Sequence, residues 1–154
     1  MLTKMVEIRW HARAGQGAVT AAKVLADCAI QEGHFAQAMP EYGPERSGAP
    51  VLAYNRISPE RIRIHANIRR PDVAVFLDPT LFGTNLSPHE LAEHSTLLVN
   101  TTRTPADMVK LLTVNLGDYC SIRVLNAYRI AKETTGTAFP NLPMLGALAH
   151  ITGI

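Results

Sequence analysis

The sequence predicts a single α/β domain, a mainly parallel sheet with helices on both faces and an antiparallel edge hairpin. Two patterns carry that prediction. Strand-like and helix-like segments alternate through most of the 154 residues, as βα units on a parallel sheet do. Asp72 to Leu77 and Thr96 to Asn100 are compact and largely apolar, the composition of strands covered on both faces. The exception is Val51 to Ile64, which interrupts the alternation and reads as a pair of antiparallel edge strands.

Taken in order, Met5 to His11 reads as a first strand and Arg13-Ala14-Gly15-Gln16-Gly17 as a turn. A helix follows from Ala18 to Gln31, with Val19, Ala22, Ala26, Ala29 and Ile30 on its apolar face and Gly33 as its stop. Phe35 to Met39 is a second strand. Residues 40–50 hold three prolines and two glycines in eleven positions, which excludes regular structure. Val51 to Ile57 is strand-like, and Arg61 to Ile64 is placed to pair with it across Ser58-Pro59-Glu60. Beyond the strand at 72–77, Ser87, Pro88 and Glu90 form a helix-start signature for a short helix through Glu93. The strand Thr96 to Asn100, a helix Pro105 to Leu112, the strand Ser121 to Leu125 and a helix Ala127 to Thr134 continue the alternation. A last helix starts at Pro143.

Composition narrows the function classes. Hydrophobic residues make up 47% and charged residues 18%, below the roughly 25% of soluble proteins, which favours a folded domain with surface to bury against partners. A net charge of +2 gives no reason to expect nucleic acid or an anionic membrane as a partner. No apolar run reaches the length of a membrane span, and Met1-Leu2-Thr3-Lys4 leads into a strand rather than a signal peptide, so a cytoplasmic setting is expected. Cys28 and Cys120 lack close cysteine neighbours, and the six histidines lack metal-ligand spacing, so no metal site is expected in this chain.

Three features invite a functional reading. Gly15-Gln16-Gly17 lies between a strand and a helix, where glycines let backbone N–H groups approach an anion at the positive helix end. Thr20 stands where a dinucleotide fingerprint has Gly or Ala, and no acidic residue closes the second strand, so an NAD site is not expected. A ligand site and a tight structural turn both remain open. The loop Tyr42 to Gly48 presents Glu45 and Arg46 between turn-formers, as recognition loops do. Arg56, Arg61, Arg63, Arg69 and Arg70 form a cluster whose alternation at 61–64 suits a half-exposed edge strand guarded by arginine.

Ile8 to Ala22 and Tyr42-Gly43-Pro44-Glu45-Arg46-Ser47-Gly48-Ala49-Pro50 together resemble the gamma subunit of the 2-oxoacid:ferredoxin oxidoreductase family. Asp78-Pro79-Thr80-Leu81 and Pro140 to Ala147 match that family in place and order. The chain departs from the family at Ala12 and Ala14, where glycine is common, and at Ser47, where a second arginine is frequent. It also ends at Ile154, where relatives continue, so 1–154 is expected to be one gamma-type domain that is naturally short, incomplete at its C-terminus or part of a fused chain.

The resemblance implies a subunit, not active alone, of an enzyme that decarboxylates a 2-oxoacid oxidatively, with pyruvate favoured over a branched-chain oxoacid or oxalate. It implies alpha-, beta- and delta-type partner subunits and ferredoxin. It also implies thiamine diphosphate, magnesium, 4Fe–4S clusters and coenzyme A in the complex, with no cofactor bound by this chain alone. Glu45 and Arg46 are then the catalytic candidates, and Gly15, Gln16, Gly17, Tyr42, Gly43 and Gly48 the cofactor-binding ones. The competing expectation is a non-catalytic module that binds a nucleotide or other anion at the Gly15–Gly17 turn.

Overall fold

The computed structural model describes residues 2–41, 48–83, 90–112 and 120–154. Strand β1 (Val6–Arg13) leads into helix α1 (Ala18–Gln31), and β2 (Phe35–Glu41) and β3 (Pro50–Ser58) follow. Then come β4 (Val73–Phe76), a 3-10 turn (Pro79–Leu81), β5 (Ser95–Asn100) and α2 (Pro105–Lys110). β6 (Cys120–Leu125), α3 (Ala127–Thr135) and α4 (Asn141–Thr152) complete the order. The described strands form one sheet in the order β2-β3-β1-β4-β5-β6. β1, β4, β5 and β6 run parallel, and β3 pairs antiparallel with both β1 and β2.

Alternation along β1 assigns its side chains to two faces. Val6, Ile8, Trp10 and Ala12 point into the larger core, against the alanine face of α1 and Met144 and Leu148 of α4. Glu7, Arg9 and His11 point the other way. On that side β4 and β5 offer Ala74, Phe76, Leu97 and Val99 to Met108 of α2 and to Phe82. Helices therefore cover both faces. The alanines of α1 let it lie close to the sheet: Ala21 and Ala29 are fully buried.

One buried polar residue locks this packing. Asn55 of β3, fully buried, accepts a hydrogen bond from the Trp10 indole N–H at 2.9 Å and donates to the Ala22 carbonyl of α1 at 2.8 Å and to the Gln37 carbonyl of β2 at 3.2 Å. A single amide thus ties three strands to the helix above them. It leaves no Asn55 side-chain atom unpaired, the condition under which buried polarity is tolerated.

Several expectations need correction. Arg61 to Ile64 is not a strand. β3 finds its hairpin partner in β2 instead, so residues 61–64 run as irregular chain. β2 also continues through Pro40 to Glu41, because an edge strand tolerates a residue without an N–H. Ile30 does not share the buried face of α1. It is 55% exposed, on the solvent-facing stripe it shares with Lys23 and Asp27. The start of the helix expected from Ser87 lies outside the described residues; Glu90 is in 3-10 conformation and 91–94 are bend, irregular chain and turn. There Ala92 gives its N–H to the Pro71 carbonyl at 3.4 Å, and His94 takes a left-handed φ of 61° before β5 begins. Helix α4 starts at Asn141 rather than Pro143, since proline is accommodated in a first turn. Among the described residues no helix is long and apolar enough to cross a membrane.

Asn55→Ala should cost roughly 1–3 kcal/mol, the penalty of leaving the Trp10 N–H without its acceptor. Urea unfolding measures the loss. Emission from Trp10, the sole tryptophan, should move in the folded variant if the indole environment changes as described.

Candidate functional site

In open α/β sheets, ligand sites gather beyond the carboxyl ends of parallel strands, where neighbouring strands send their connections to opposite faces. Here that point lies between β1 and β4. The chain leaves β1 for α1 on one face, and leaves β4 for Phe82 on the other. The Gly15-Gln16-Gly17 turn opens one side of this crevice, and Asp78-Pro79-Thr80 the other.

A polar cluster fills the gap between them, and Arg13 is its hub. The Arg13 guanidinium pairs through Nε with Asp78 Oδ2 at 3.2 Å, donates to Thr80 Oγ1 at 3.0 Å and donates to the Gly48 carbonyl at 3.0 Å. Gln16 accepts from the Arg13 backbone N–H at 2.8 Å and turns its own amide toward Asp78 Oδ2 at 3.3 Å and the Tyr128 hydroxyl of α3 at 3.0 Å. Asp78 also accepts from the Thr80 N–H at 2.9 Å and hydroxyl at 2.6 Å. Burial works to raise the Asp78 pKa, but the Thr80 hydrogen bonds, the Arg13 charge and the Gln16 amide outweigh it and hold the carboxyl below its ordinary value.

The two glycines of the turn have different reasons to be there. Both take left-handed φ, 94° at Gly15 and 84° at Gly17. A Cβ on Gly17 would meet Asn141 Nδ2 at 2.5 Å, so Gly17 also sets how closely α4 approaches the start of α1. A Cβ on Gly15 would meet nothing. Gly17 thus has a packing role, and Gly15 leaves open space in front of a helix start that carries no side-chain cap.

Beside the cluster, an open cleft of about 740 Å³ runs across the ends of β4, β5 and β6, lined in part by Thr80, Asn100, Thr101, Arg103, Asn126 and Tyr128. Asn100 braces its floor. It donates to the Leu77 carbonyl at 2.9 Å and accepts the Ala127 N–H at 2.9 Å, joining β4, β5 and α3. Asn126 caps α3 through the Arg129 N–H at 3.1 Å. Thr80 and Tyr128 belong to both the cluster and the cleft.

Of the residues expected at a site, Gly15, Gln16, Gly17 and Gly48 meet around Arg13. Gly48 joins through its carbonyl and a φ of 78°. Tyr42, Gly43, Glu45 and Arg46 lie outside the described residues. Arg13, Asp78 and Thr80 lie in motifs that the sequence offers without a site role, and Asn100, Asn126 and Tyr128 are not among its candidates. Their signal was a polar residue at or just beyond the end of each parallel strand: Arg13, Asp78, Asn100 and Asn126.

His11 is no proton carrier near neutral pH. Burial, then the neighbouring Arg9 charge, push its pKa down to about 3, and the ring accepts from Arg9 Nε at 3.0 Å while stacking on Phe76 at 4.4 Å. Among the described residues no group of three His, Cys, Asp or Glu side chains is placed to hold a metal ion. Two thiols, exposed Cys28 on α1 and half-buried Cys120 on β6, fall short of the four thiolates that an iron–sulfur cluster takes. The donor set of this chain therefore does not fit a cluster.

Comparison with known proteins turns this geometry into a family. The family model described as pyruvate ferredoxin/flavodoxin oxidoreductase matches residues 7–154. The chain belongs to that family. It is 46% identical to pyruvate synthase subunit PorC of Thermotoga maritima over 98% of this chain and 76% of the relative. It is 43% identical to the pyruvate/ketoisovalerate oxidoreductases common subunit gamma of Thermococcus litoralis, over 97% and 80%. The crystal structure of the pyruvate oxidoreductase subunit PORC from Thermotoga maritima superposes with a TM-score of 0.80 at 42% identity, covering 98% of this chain and 78% of that one. The fold class expected from the sequence, a mainly parallel sheet with an antiparallel edge pair, is thus that of PorC, the pair being β2 and β3 rather than 51–57 and 61–64.

Gly17→Ala should destabilise by more than Gly15→Ala, for which the left-handed geometry alone costs about 1–2 kcal/mol. Adding Asn141→Ala should recover the excess, as read by thermal or urea unfolding. Asp78 gives a pH test. A carboxyl with a depressed folded pKa contributes stability that is present above its unfolded value, near 4, and lost as pH falls through the folded value. Asp78→Asn should therefore lower stability at pH 7 and flatten the acid limb of the stability profile relative to the parent chain.

Proposed function

We propose that this chain is the gamma-type subunit of a 2-oxoacid:ferredoxin oxidoreductase whose carboxyl-end loops face the active site shared with its partner subunits. The observation that supports this most directly is the Arg13 hub. Its bond to the Gly48 carbonyl holds Gly48, where the second family signature re-enters the described residues, against the Gly15–Gly17 turn of the first. In this reading Arg46 and Glu45 act on substrate or coenzyme A from that loop. The thiol and carboxylate inventory leaves cluster binding to other chains. Thiamine diphosphate supplies the decarboxylation chemistry when it is bound in the complex. This chain positions loops beside it, and the polar cleft at Asn100, Arg103 and Asn126 supplies donors for an anionic or amide-rich substrate.

Pyruvate is the favoured oxoacid, through the likeness to PorC. The Thermococcus litoralis relative is named as common to pyruvate and ketoisovalerate oxidoreductases, which supports placing the choice between linear and branched oxoacids in a partner subunit. Alpha-, beta- and delta-type subunits are the partners in this reading.

Native isolation of the tagged chain should bring down further subunits and a brown iron–sulfur chromophore, with activity toward pyruvate or another oxoacid in a panel run with and without coenzyme A. A colourless monomer that binds nucleotide would replace this reading with an anion-binding module. Arg46→Ala should leave assembly intact and either lower kcat or raise KM for the oxoacid or coenzyme A. Unchanged kinetics in an intact complex would remove Arg46 from the site.

A further inference from the structure

The Gln16 amide has its polarity set by its neighbours. The atom that faces the Arg13 backbone N–H at 2.8 Å is the carbonyl Oε1, since an N–H needs an acceptor. Nε2 is therefore the end that meets Asp78 Oδ2 at 3.3 Å and the Tyr128 hydroxyl at 3.0 Å, one N–H for each. Tyr128 is thus an acceptor toward Gln16, and its own O–H proton is directed elsewhere. Among the described residues nothing takes that proton. Tyr128 is 38% exposed and lines the cleft beside the cluster, so the proton is offered there.

The other side chains of fixed polarity around the cleft follow the same pattern. Their acceptors are spent on the scaffold. Asp78 receives Arg13, Gln16 and both donors of Thr80. Asn100 Oδ1 accepts the Ala127 N–H, and Asn126 Oδ1 the Arg129 N–H. Their donors are left over. Asn126 Nδ2 has no acceptor among the described residues, and the exposed Arg103 guanidinium has no ion pair there. The Asp107 carboxylate, on the same connection, is taken by Thr104 and Lys110.

Unspent donors, one of them a charged guanidinium, match a ligand built of negatively charged acceptors. A neutral amide ligand fits less well, because it brings donors that no unspent side-chain acceptor of fixed polarity receives. The apolar wall at Phe82, Met108 and Leu111 leaves room for the rest of such a molecule.

We infer that this cleft binds an organic oxyanion, a phosphate or a carboxylate, through Tyr128, Asn126 and Arg103. Gln16 stands behind Tyr128 as a positioning residue that keeps its hydroxyl a donor. The inference deepens the gamma-subunit reading and rests on it for the biological ligand.

The test titrates the full chain with inorganic phosphate, and separately with pyruvate, followed by amide NMR. Both titrations are repeated on Tyr128→Phe and Arg103→Gln. Saturable shifts at Thr101, Arg103 and Tyr128 are expected, with Kd raised about tenfold by either substitution, the loss of one hydrogen bond to a charged group. Tighter binding of phosphate assigns the cleft to a phosphorylated coenzyme, and tighter binding of pyruvate to the oxoacid. No saturable shift with either anion overturns the inference, as does a Kd that Tyr128→Phe leaves unchanged.

Gln16→Glu tests the positioning role, because the new carboxylate draws the Tyr128 proton away from the cleft. It should weaken anion binding clearly in the parent chain and much less in the Tyr128→Phe chain. A structural effect, or one of added charge alone, is equal in both backgrounds and overturns that role. In the intact complex, Tyr128→Phe should raise KM about tenfold for whichever substrate carries the bound group, and an unchanged KM for both substrates removes the cleft from the enzyme. A complex that oxidises no 2-oxoacid defeats the gamma-subunit reading instead, while the titrations of the chain still decide the cleft.

Discussion

Strand β1 has an antiparallel neighbour on one side and a parallel one on the other, and the guanidinium of Arg13 at its end holds those two halves of the sheet together. On the antiparallel side it takes the Gly48 carbonyl. On the parallel side it takes Asp78 and Thr80. The backbone repeats the link, with the Ala14 N–H on the Ala49 carbonyl at 2.9 Å and the Leu77 N–H on the His11 carbonyl at 2.9 Å. An arginine suits the place because its planar donors reach three acceptors in different directions, which a lysine ammonium on a flexible stem does with less order. The start of α1, the exit of the 42–47 segment and the connection after β4 therefore take their positions from one side chain.

The two faces of β1 solve different problems. Toward α1 the strand offers Ile8, Trp10 and Ala12, and burial of apolar surface stabilises that side. Toward the other face it offers Glu7, Arg9 and His11, a charged row where a core strand usually carries none. Each is compensated locally: Glu7 with Arg56, and His11 by remaining neutral and accepting from Arg9. Burial lowers the Arg9 pKa and the Glu90 charge works against that loss. Tyr54 continues the row by donating to Glu41 at 2.6 Å, and burial together with that carboxylate pushes its hydroxyl pKa upward. A buried ion pair is weak evidence for stability, because desolvation offsets much of the attraction. What such a row supplies is register. Shifting β3 by one residue against β1 would turn Arg56 into the apolar core and leave Glu7 alone.

The sequence was most legible where local pattern and tertiary demand agree. The alanine face of α1 and the apolar runs of β4 and β5 lie as their periodicity implies, and Ile30 departs because it falls on the exposed stripe of Lys23 and Asp27. The misreading at Arg61 to Ile64 has a physical cause. Alternating Arg and Ile is the pattern of a half-exposed strand, but pairing needs a free ladder, and β2 and β1 already occupy both sides of β3. Local sequence cannot register that competition. The site divides in the same way. Gly15 and Gly17 announce themselves because left-handed backbone demands glycine. Arg13 and Asp78 are ordinary residues 65 positions apart, and their pairing exists only once β1 and β4 lie side by side.

That division by strand polarity extends to the whole molecule. At the carboxyl ends of the parallel strands most polar groups are engaged with one another: Arg13 meets Asp78, the Gln16 and Asn100 amides bond neighbouring groups, and Asn126 accepts the Arg129 N–H, while Arg103 stays exposed in the cleft. Such a surface is organised before any ligand arrives, which lowers the ordering cost of binding and favours shape over net field. At the amino ends the opposite holds. The acidic groups are engaged by the sheet and the arginines of 61–70 are left over, so that end acts through net field, at longer range and with less demand on fit. A preorganised surface rewards fit at contact, whereas a surface with net charge acts before contact. The same six-stranded sheet separates the two by its own length, so each can be altered without disturbing the other.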